Sequence, residues 1–284
     1  MPELKNKKFA PLFLFASALL WSLTGLFTKS VSWDGVCIAT LRGIIATAVT
    51  AALLRGRKIR LNRQKVFTAV CYFLQGLLIL CANKYTTAAN AAVLQNTSPL
   101  YIIFFNAVIV KKWPTKVERI TCACLFAGVA LAFAGNMYGG GALGNCMALT
   151  SALFYAGVFF LSKEEGSDVL ESLFLGNACY FILLPALMTN GVVWTTPARE
   201  WLLLVACATF SGVGAWLCFA VGIKYTSALQ ANFITMAEPV LSPVWTYIFL
   251  HEVLTATSAV GCAVVLTTLL VYNVYNTRHA QVQA

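Results

Sequence analysis

Long apolar runs alternate with short polar loops from one end of the chain to the other. Each run holds about 20 residues, enough for a helix to cross roughly 30 Å of hydrocarbon at about 1.5 Å per residue. The pattern predicts ten helices, at about Phe9–Lys29, Asp34–Leu54, Val66–Ala82, Ala88–Val110, Ile120–Gly135, Ala142–Leu161, Val169–Met188, Glu200–Gly222, Ala228–Leu250 and Ala256–Tyr275. Soluble sandwiches and barrels need polar outer faces, which these runs lack. The expected class is therefore all-α, a polytopic membrane protein. Lys5, Lys7 and Lys8 precede the first run as they would in a signal peptide. That run is longer than a signal's apolar region and ends in no Ala-x-Ala site, so a retained helix is expected.

One stretch occurs twice. Lys84–Lys112 reads KYTTAANAAVLQNTSPLYIIFFNAVIVKK, and Lys224–Glu252 reads KYTSALQANFITMAEPVLSPVWTYIFLHE. The second copy lies 140 residues downstream with no gap, setting Asn90 on Gln230 and Ser98-Pro99 on Glu238-Pro239. The opening helices of the halves match more weakly, Trp21-Ser22 on Tyr155-Ala156 and Lys29 on Lys163. Two repeats are expected, at 9–135 and 142–275, with five helices in each. Five is odd, so the second repeat enters the membrane the other way up. Inverted repeats with helices interrupted near the midplane are the architecture of secondary transporters, where two exchanged packings open to opposite sides. Pro99 and Pro239 stand near the centres of apolar runs, and each removes an intrahelical bond and bends its helix.

Charge then fixes an orientation. Only 11% of the residues are charged, against about 25% in a typical soluble domain, and the net charge is +10. With both termini in the cytoplasm, sixteen of the 20 lysines and arginines fall on the inner side and three on the outer. Arg42 remains inside a helix. The bias obeys the positive-inside rule, so the basic charge reads as membrane topology with some attraction to anionic lipid, and a nucleic-acid surface is rejected. The ten cysteines show no CxxC spacing, and His251 and His279 are too few for a metal cluster. No metal or other cofactor is expected. The glycine-rich Met137–Gly141 has no strand before it and no Lys-Ser/Thr after it, so a turn or flexible linker is expected and not a phosphate loop.

Polar residues within apolar runs are the candidate site. Glu238 lies deep in helix nine beside Pro239, where a carboxylate marks a function by default. It reads as an amine-binding group or a proton site, with a structural alternative of bonding to backbone freed by the proline. Arg42 in helix two does not deprotonate and must find a carboxylate, a carbonyl or water. Asn90, Gln95 and Asn96 in helix four and Gln230 in helix nine either line a cavity or bond between helices. Trp21, Tyr155, Trp216 and Tyr180 offer ring faces to an apolar or cationic solute, and Asn177 joins them as a polar candidate. Helix packing or interfacial anchoring would use the same aromatics. An intramembrane enzyme would want a Ser/His pair, paired aspartates or a metal cluster, and no Asp lies in a helix interior.

The motifs WSLTGLFTK (Trp21–Lys29), LRG (Leu41–Gly43), the two proline-centred copies, and Gly261 resemble the drug/metabolite transporter superfamily, in particular its EamA-type members with two tandem EamA domains. The resemblance implies ten helices with inverted pseudo-two-fold symmetry and a central cavity lined mainly by the first helices of each repeat. It also implies movement of small organic solutes, often export of amino acids or related metabolites. The expected function is thus a secondary-active, alternating-access transporter in the cell membrane, with a small-molecule substrate, the bilayer and a proton as candidate partners. A non-transporting scaffold or receptor and a facilitative channel are the alternatives. The sequence leaves the oligomeric state open, a monomer being compatible with it. Three positions depart from the family pattern and make the halves chemically unequal: Lys112 stands opposite Glu252, Ser98 opposite Glu238, and Gly128 opposite Thr268.

The charge count predicts that both termini and position 60 are cytoplasmic and position 140 is outside. Single cysteines at these places, in a background without the native cysteines, test it with an impermeant thiol reagent on intact cells. Only position 140 should react; labelling at 60 would overturn the orientation.

Overall fold

The computed structural model describes residues 2–55, 57, 61–109, 111, 113–135, 141–161, 166, 168–191, 195–223, 225–226 and 234–282. Eight helices run unbroken through membrane-length apolar segments, and two further spans are broken. In chain order these are α1 (Pro2–Lys29), α2 (Gly35–Leu53), α3 (Arg63–Tyr85), α4a (Ala88–Gln95), α4b (Ser98–Val108) and α5 (Lys116–Ala134). The second half holds α6 (Gly141–Leu161), α7 (Val169–Thr189), α8 (Ala198–Ile223), α9 (Ala237–Leu250) and α10 (Ala256–Val282). The first part of the ninth span, Gln230 included, lies outside the described residues.

Local chemistry sets the starts of these helices. Asp34, Asn62, Thr87, Thr115 and Asp168 each accept a backbone N–H of the following turn through the side chain, satisfying donors that a helix leaves orphaned. Thr115 and Glu118 form a reciprocal capping box. The connection between the third and fourth spans is shorter than the expected helix ends at Ala82 and Ala88 imply. Lys84 and Tyr85 complete the last turn of α3, leaving Thr86 and Thr87 as the whole connection.

Packing repeats with the sequence. α1 lies against α8 and α9, and α6 lies against α3 and α4; α2 meets α8 as α7 meets α3. The pairs α2–α7 and α5–α10 join elements that the repeat exchanges, so they surround the pseudo-two-fold axis, and α4a packs on α9 beside them. The chain is thus two inverted five-helix repeats. Backbone conformation carries the same register. The described non-glycine residues with positive φ are Lys111 (58°) and His251 (53°), 140 positions apart, each just beyond the proline-started part of a broken span.

Close approach explains several glycines. A Cβ on Gly43 would strike the Tyr180 ring at 2.2 Å, and one on Gly76 would meet the Tyr180 hydroxyl at 2.5 Å. α5 and α10 cross tightly at Gly128 and Gly261, where a Cβ on Gly261 would lie 2.4 Å from the Ala132 backbone nitrogen. Backbone cannot yield as a flexible side chain does, so overpacking there costs about 1–3 kcal/mol. Gly261→Ala is therefore expected to lower the thermal midpoint of the purified protein by several degrees. Gly191→Ala, with nothing within 4 Å of the added carbon, should leave it unchanged. Equal midpoints for both variants would remove the crossing as a source of stability.

Candidate functional site

The centre of the molecule is built around two helix breaks. α4a ends at Gln95, Asn96 and Thr97 turn, and α4b restarts at Ser98 with Pro99 in its first turn. The ninth span turns at Met236 and restarts at Ala237, with Glu238 and Pro239 in the first turn of α9. Each proline thus opens a helix, where its missing N–H costs nothing, and does not kink one from inside. The consequence for Glu238 is positional. It sits in the first turn of a helix, where the N-terminal dipole favours a carboxylate.

Between the breaks lies a polar cavity of about 40 Å³. That admits a few waters; a metabolite requires the helices to part. The walls come from α1 (Trp21, Thr24, Gly25), α2 (Arg42), α3 (Gln75, Ile79, Asn83) and α4a (Ala88, Ala92, Gln95). Tyr155 of α6, Trp216 of α8, and Glu238 and Ser242 of α9 complete them. Arg42 and Glu238 are each only 9% exposed and belong to neither of the two salt bridges among the described residues. The Arg42 guanidinium donates one long bond, 3.4 Å, to the Ser211 carbonyl in the π-helical stretch Cys207–Gly214 of α8. Such wide turns inside α-helices recur at functional sites. The Asn96 side chain, which donates to the Ala92 carbonyl at 2.9 Å, lies beside the Glu238 carboxyl, so the two breaks adjoin.

The aromatic candidates divide. Trp21, Tyr155 and Trp216 line the cavity, with Trp21 and Trp216 edge to face at 5.1 Å. Phe219 and Phe159 back them, 5.6 Å apart. These two lie towards the face where α6 and α8 end; Gly25, Asn83 and Ala88 open the cavity towards the opposite face. The repeat relates Trp216 to Gly76 and Phe159 to Gly25, so bulk on one side answers to space on the other. Tyr180 is used in packing: its ring fills the hollow over Gly43 and Gly76, and its hydroxyl donates to the Phe73 carbonyl at 3.0 Å. Asn177 is buried next to Gly176, whose backbone abuts Tyr72. Asn90 faces α10, meeting Ser258 at 3.5 Å and Cys262 at 3.3 Å. Pro99 and Pro239 shape the breaks without lining the cavity, and Asn96 touches it through Glu238.

Sequence reasoning passed over Gln75, Asn83, Thr24 and Ser242. Gln75 is central: Gln95 donates to its side-chain carbonyl at 2.8 Å and to Ser151 at 2.9 Å, while Ser151 donates to the Gln75 backbone carbonyl at 2.9 Å. Its signal was available, a lone amide in the apolar run YFLQGLLIL.

A set of polar contacts closes the face where α1 ends. Lys29 pairs with Glu252 at 2.7 Å, and the other Glu252 oxygen accepts the Ala88 N–H at 3.1 Å. His251, in the left-handed conformation, turns the chain at the end of α9 so that Glu252 reaches both α1 and α4a. Ser32 donates to Glu200 through backbone and hydroxyl at 2.7 and 2.8 Å, and Lys84 donates to the Val31 carbonyl.

The profile of the EamA-like transporter family matches residues 8–134 and again 142–274. This chain belongs to the EamA-like transporter family. Its activity is accordingly transport across the membrane, and it is not an enzyme. An uncharacterized transporter of Archaeoglobus fulgidus is 27% identical over 265 residues, covering 90% of this chain and 93% of that protein. The pseudopaline exporter CntI of Pseudomonas aeruginosa is 24% identical over 230 residues, covering 79% of this chain and 81% of its own length. A solved crystal structure superposes with a TM-score of 0.64 at 20% identity, covering 93% of this chain and 96% of that one, which shows the shared fold.

If the Lys29–Glu252 pair holds this face shut, Glu252→Gln should speed labelling of a cysteine at Ala92, inside the cavity, by about fivefold, the shift produced by ~1 kcal/mol. The exchanged pair Lys29→Glu with Glu252→Lys should restore the slow rate. An unchanged rate in Glu252→Gln would leave closure to the apolar contacts.

Proposed function

We propose that this EamA-family protein is a secondary-active carrier of small amine-bearing metabolites, amino acids or close relatives, working by alternating access and directed to export. One observation carries the reading: a guanidinium and a carboxyl, both nine-tenths buried, line one cavity without being paired to each other. A zwitterion offers each a partner, its carboxylate to Arg42 and its ammonium to Glu238, with Trp21, Tyr155 and Trp216 presenting ring faces to the cation. Likeness to a protein named as a pseudopaline exporter supports both an organic solute and the outward direction.

In this reading the repeats 9–135 and 142–275 rock against one another about the pseudo-two-fold axis, both termini remaining cytoplasmic. The tie at Lys29–Glu252 breaks in one packing, and the aromatic floor below Trp216 parts in the other. A proton is the competing occupant of Glu238, favoured by its burial beside the uncharged Asn96 amide and by its place in neither salt bridge among the described residues. Glu238→Gln separates the two, because glutamine mimics the neutral acid. For an amine site, the mutant loses about tenfold or more in affinity at every pH, since a charge-assisted contact of about 1.5–3 kcal/mol is gone. For a proton site, exchange persists and accumulation driven by a pH gradient is lost. Counterflow and binding of amino acids and amines in proteoliposomes between pH 5 and 8 read both. Saturable exchange sets a carrier apart from a channel, and absence of flux for wild type would return the scaffold reading. Wild-type behaviour of the mutant throughout would remove Glu238 from the mechanism.

A further inference from the structure

The repeat's symmetry fails in one place that opens a second cavity. α5 and α10 are exchanged by the pseudo-two-fold, so a close crossing on one side of the axis has a counterpart on the other. Gly128 and Gly261 make the close crossing. Their counterparts at the 140-residue offset are Thr268 and Thr121. A hydroxyl and a methyl stand where the crossing has only hydrogen, so the helices stay apart there. Thr121 and Thr268 line the resulting cleft with Val117, Ile120, Thr267 and Val271, leaving about 300 Å³ open to the centre of a water molecule. Its walls are almost wholly apolar, and it belongs to neither the central cavity nor the closing contacts.

The cleft ends where the chain is basic. Lys116 and Arg119 in the first turn of α5, and Arg278 near the end of α10, are exposed and take part in neither salt bridge among the described residues. The acid at this mouth, Glu118, is engaged by the Thr115 N–H at 2.7 Å and by the Tyr272 hydroxyl at 3.4 Å. Trp113, 84% exposed one turn before α5, is placed as an interfacial anchor. An apolar slot of membrane depth capped by three cations is complementary to one molecule abundant in its surroundings. We propose that the α5–α10 cleft binds an anionic phospholipid, one acyl chain in the slot and the phosphate on Lys116, Arg119 and Arg278. The lipid wedges the splayed ends of the two helices that meet on the axis. Its headgroup lies in the leaflet facing the basic loops.

Native mass spectrometry of the detergent-purified full chain, given equimolar phosphatidylglycerol and phosphatidylcholine of the same acyl composition, tests this. Wild type should retain phosphatidylglycerol preferentially, by on the order of tenfold, each basic residue near a membrane surface adding attraction to anionic lipid. The triple variant Lys116→Gln, Arg119→Gln and Arg278→Gln should lose the preference while still retaining lipid. Thr268→Trp, filling the slot, should lose retention of both lipids. A photoactivatable acyl chain on the same headgroup should crosslink within Val117–Cys124 or Thr267–Tyr275, an assignment that holds even if a variant folds poorly. Equal retention of the two lipids by wild type would overturn the proposal. So would crosslinks elsewhere, or a dimer that dissociates in Thr268→Trp, which would make the cleft a contact between two copies.

Discussion

Hydrocarbon offers no partner to a bare N–H or carbonyl, so a chain that breaks a helix inside the bilayer must surround the break with polar protein or water. This chain does so twice, at Asn96–Thr97 and at Met236, and brings the two breaks together on the pseudo-two-fold axis. The polar cavity is the other side of that requirement. Asn96, bonded to the Ala92 carbonyl beside Glu238, and the Gln75–Gln95–Ser151 group are the side chains that make an interrupted backbone tolerable at this depth. Remove the breaks and nothing would justify a glutamate there.

The fold is more symmetric than the chemistry it carries. Helix pairings and even the left-handed residues Lys111 and His251 repeat at a constant offset. Side chains with consequences do not: Glu238 answers to Ser98, Trp216 to Gly76, Glu252 to Lys112, Gly128 to Thr268. A carrier needs its two exchanged packings close in energy, within the few kcal/mol that a bound solute supplies. Shared backbone symmetry makes the two packings comparable. The unequal side chains tilt that balance, with ionic closure on one face and aromatic closure on the other. In the proposed mechanism, substrate contact is thereby concentrated on one set of residues instead of two copies of it.

Much of this was legible from the chain. Apolar run length and the gapless 140-residue repeat led to ten inverted spans, and the depth of Glu238 and Arg42 in apolar runs pointed to the centre where both lie. Periodicity says that a residue is in a span, but not which neighbour it meets. Tyr180 and Trp216 look alike in sequence, yet one fills a hollow made by Gly43 and Gly76 on two other helices while the other lines the cavity. Asn90 and Asn96 share a repeat copy, but the helix break between them turns Asn96 towards Glu238 and leaves Asn90 on the α10 side. The break itself was read as a bend, because proline alone does not reveal whether it interrupts a helix or begins one.

The buried charges among the described residues fall into two kinds, and the difference bears on the proposed mechanism. Lys65 and Glu171 are buried and paired at 2.6 Å, as groups are when their task is to hold α3 to α7. Arg42 and Glu238 are as deeply buried, face the same space, and are not joined. An unpaired buried charge costs several kcal/mol, and a direct ion pair would have relieved much of that. In the proposed mechanism, these two groups on the walls of one cavity, not joined to each other, await a partner that comes and goes. A fixed pair would have closed the space that a solute must cross.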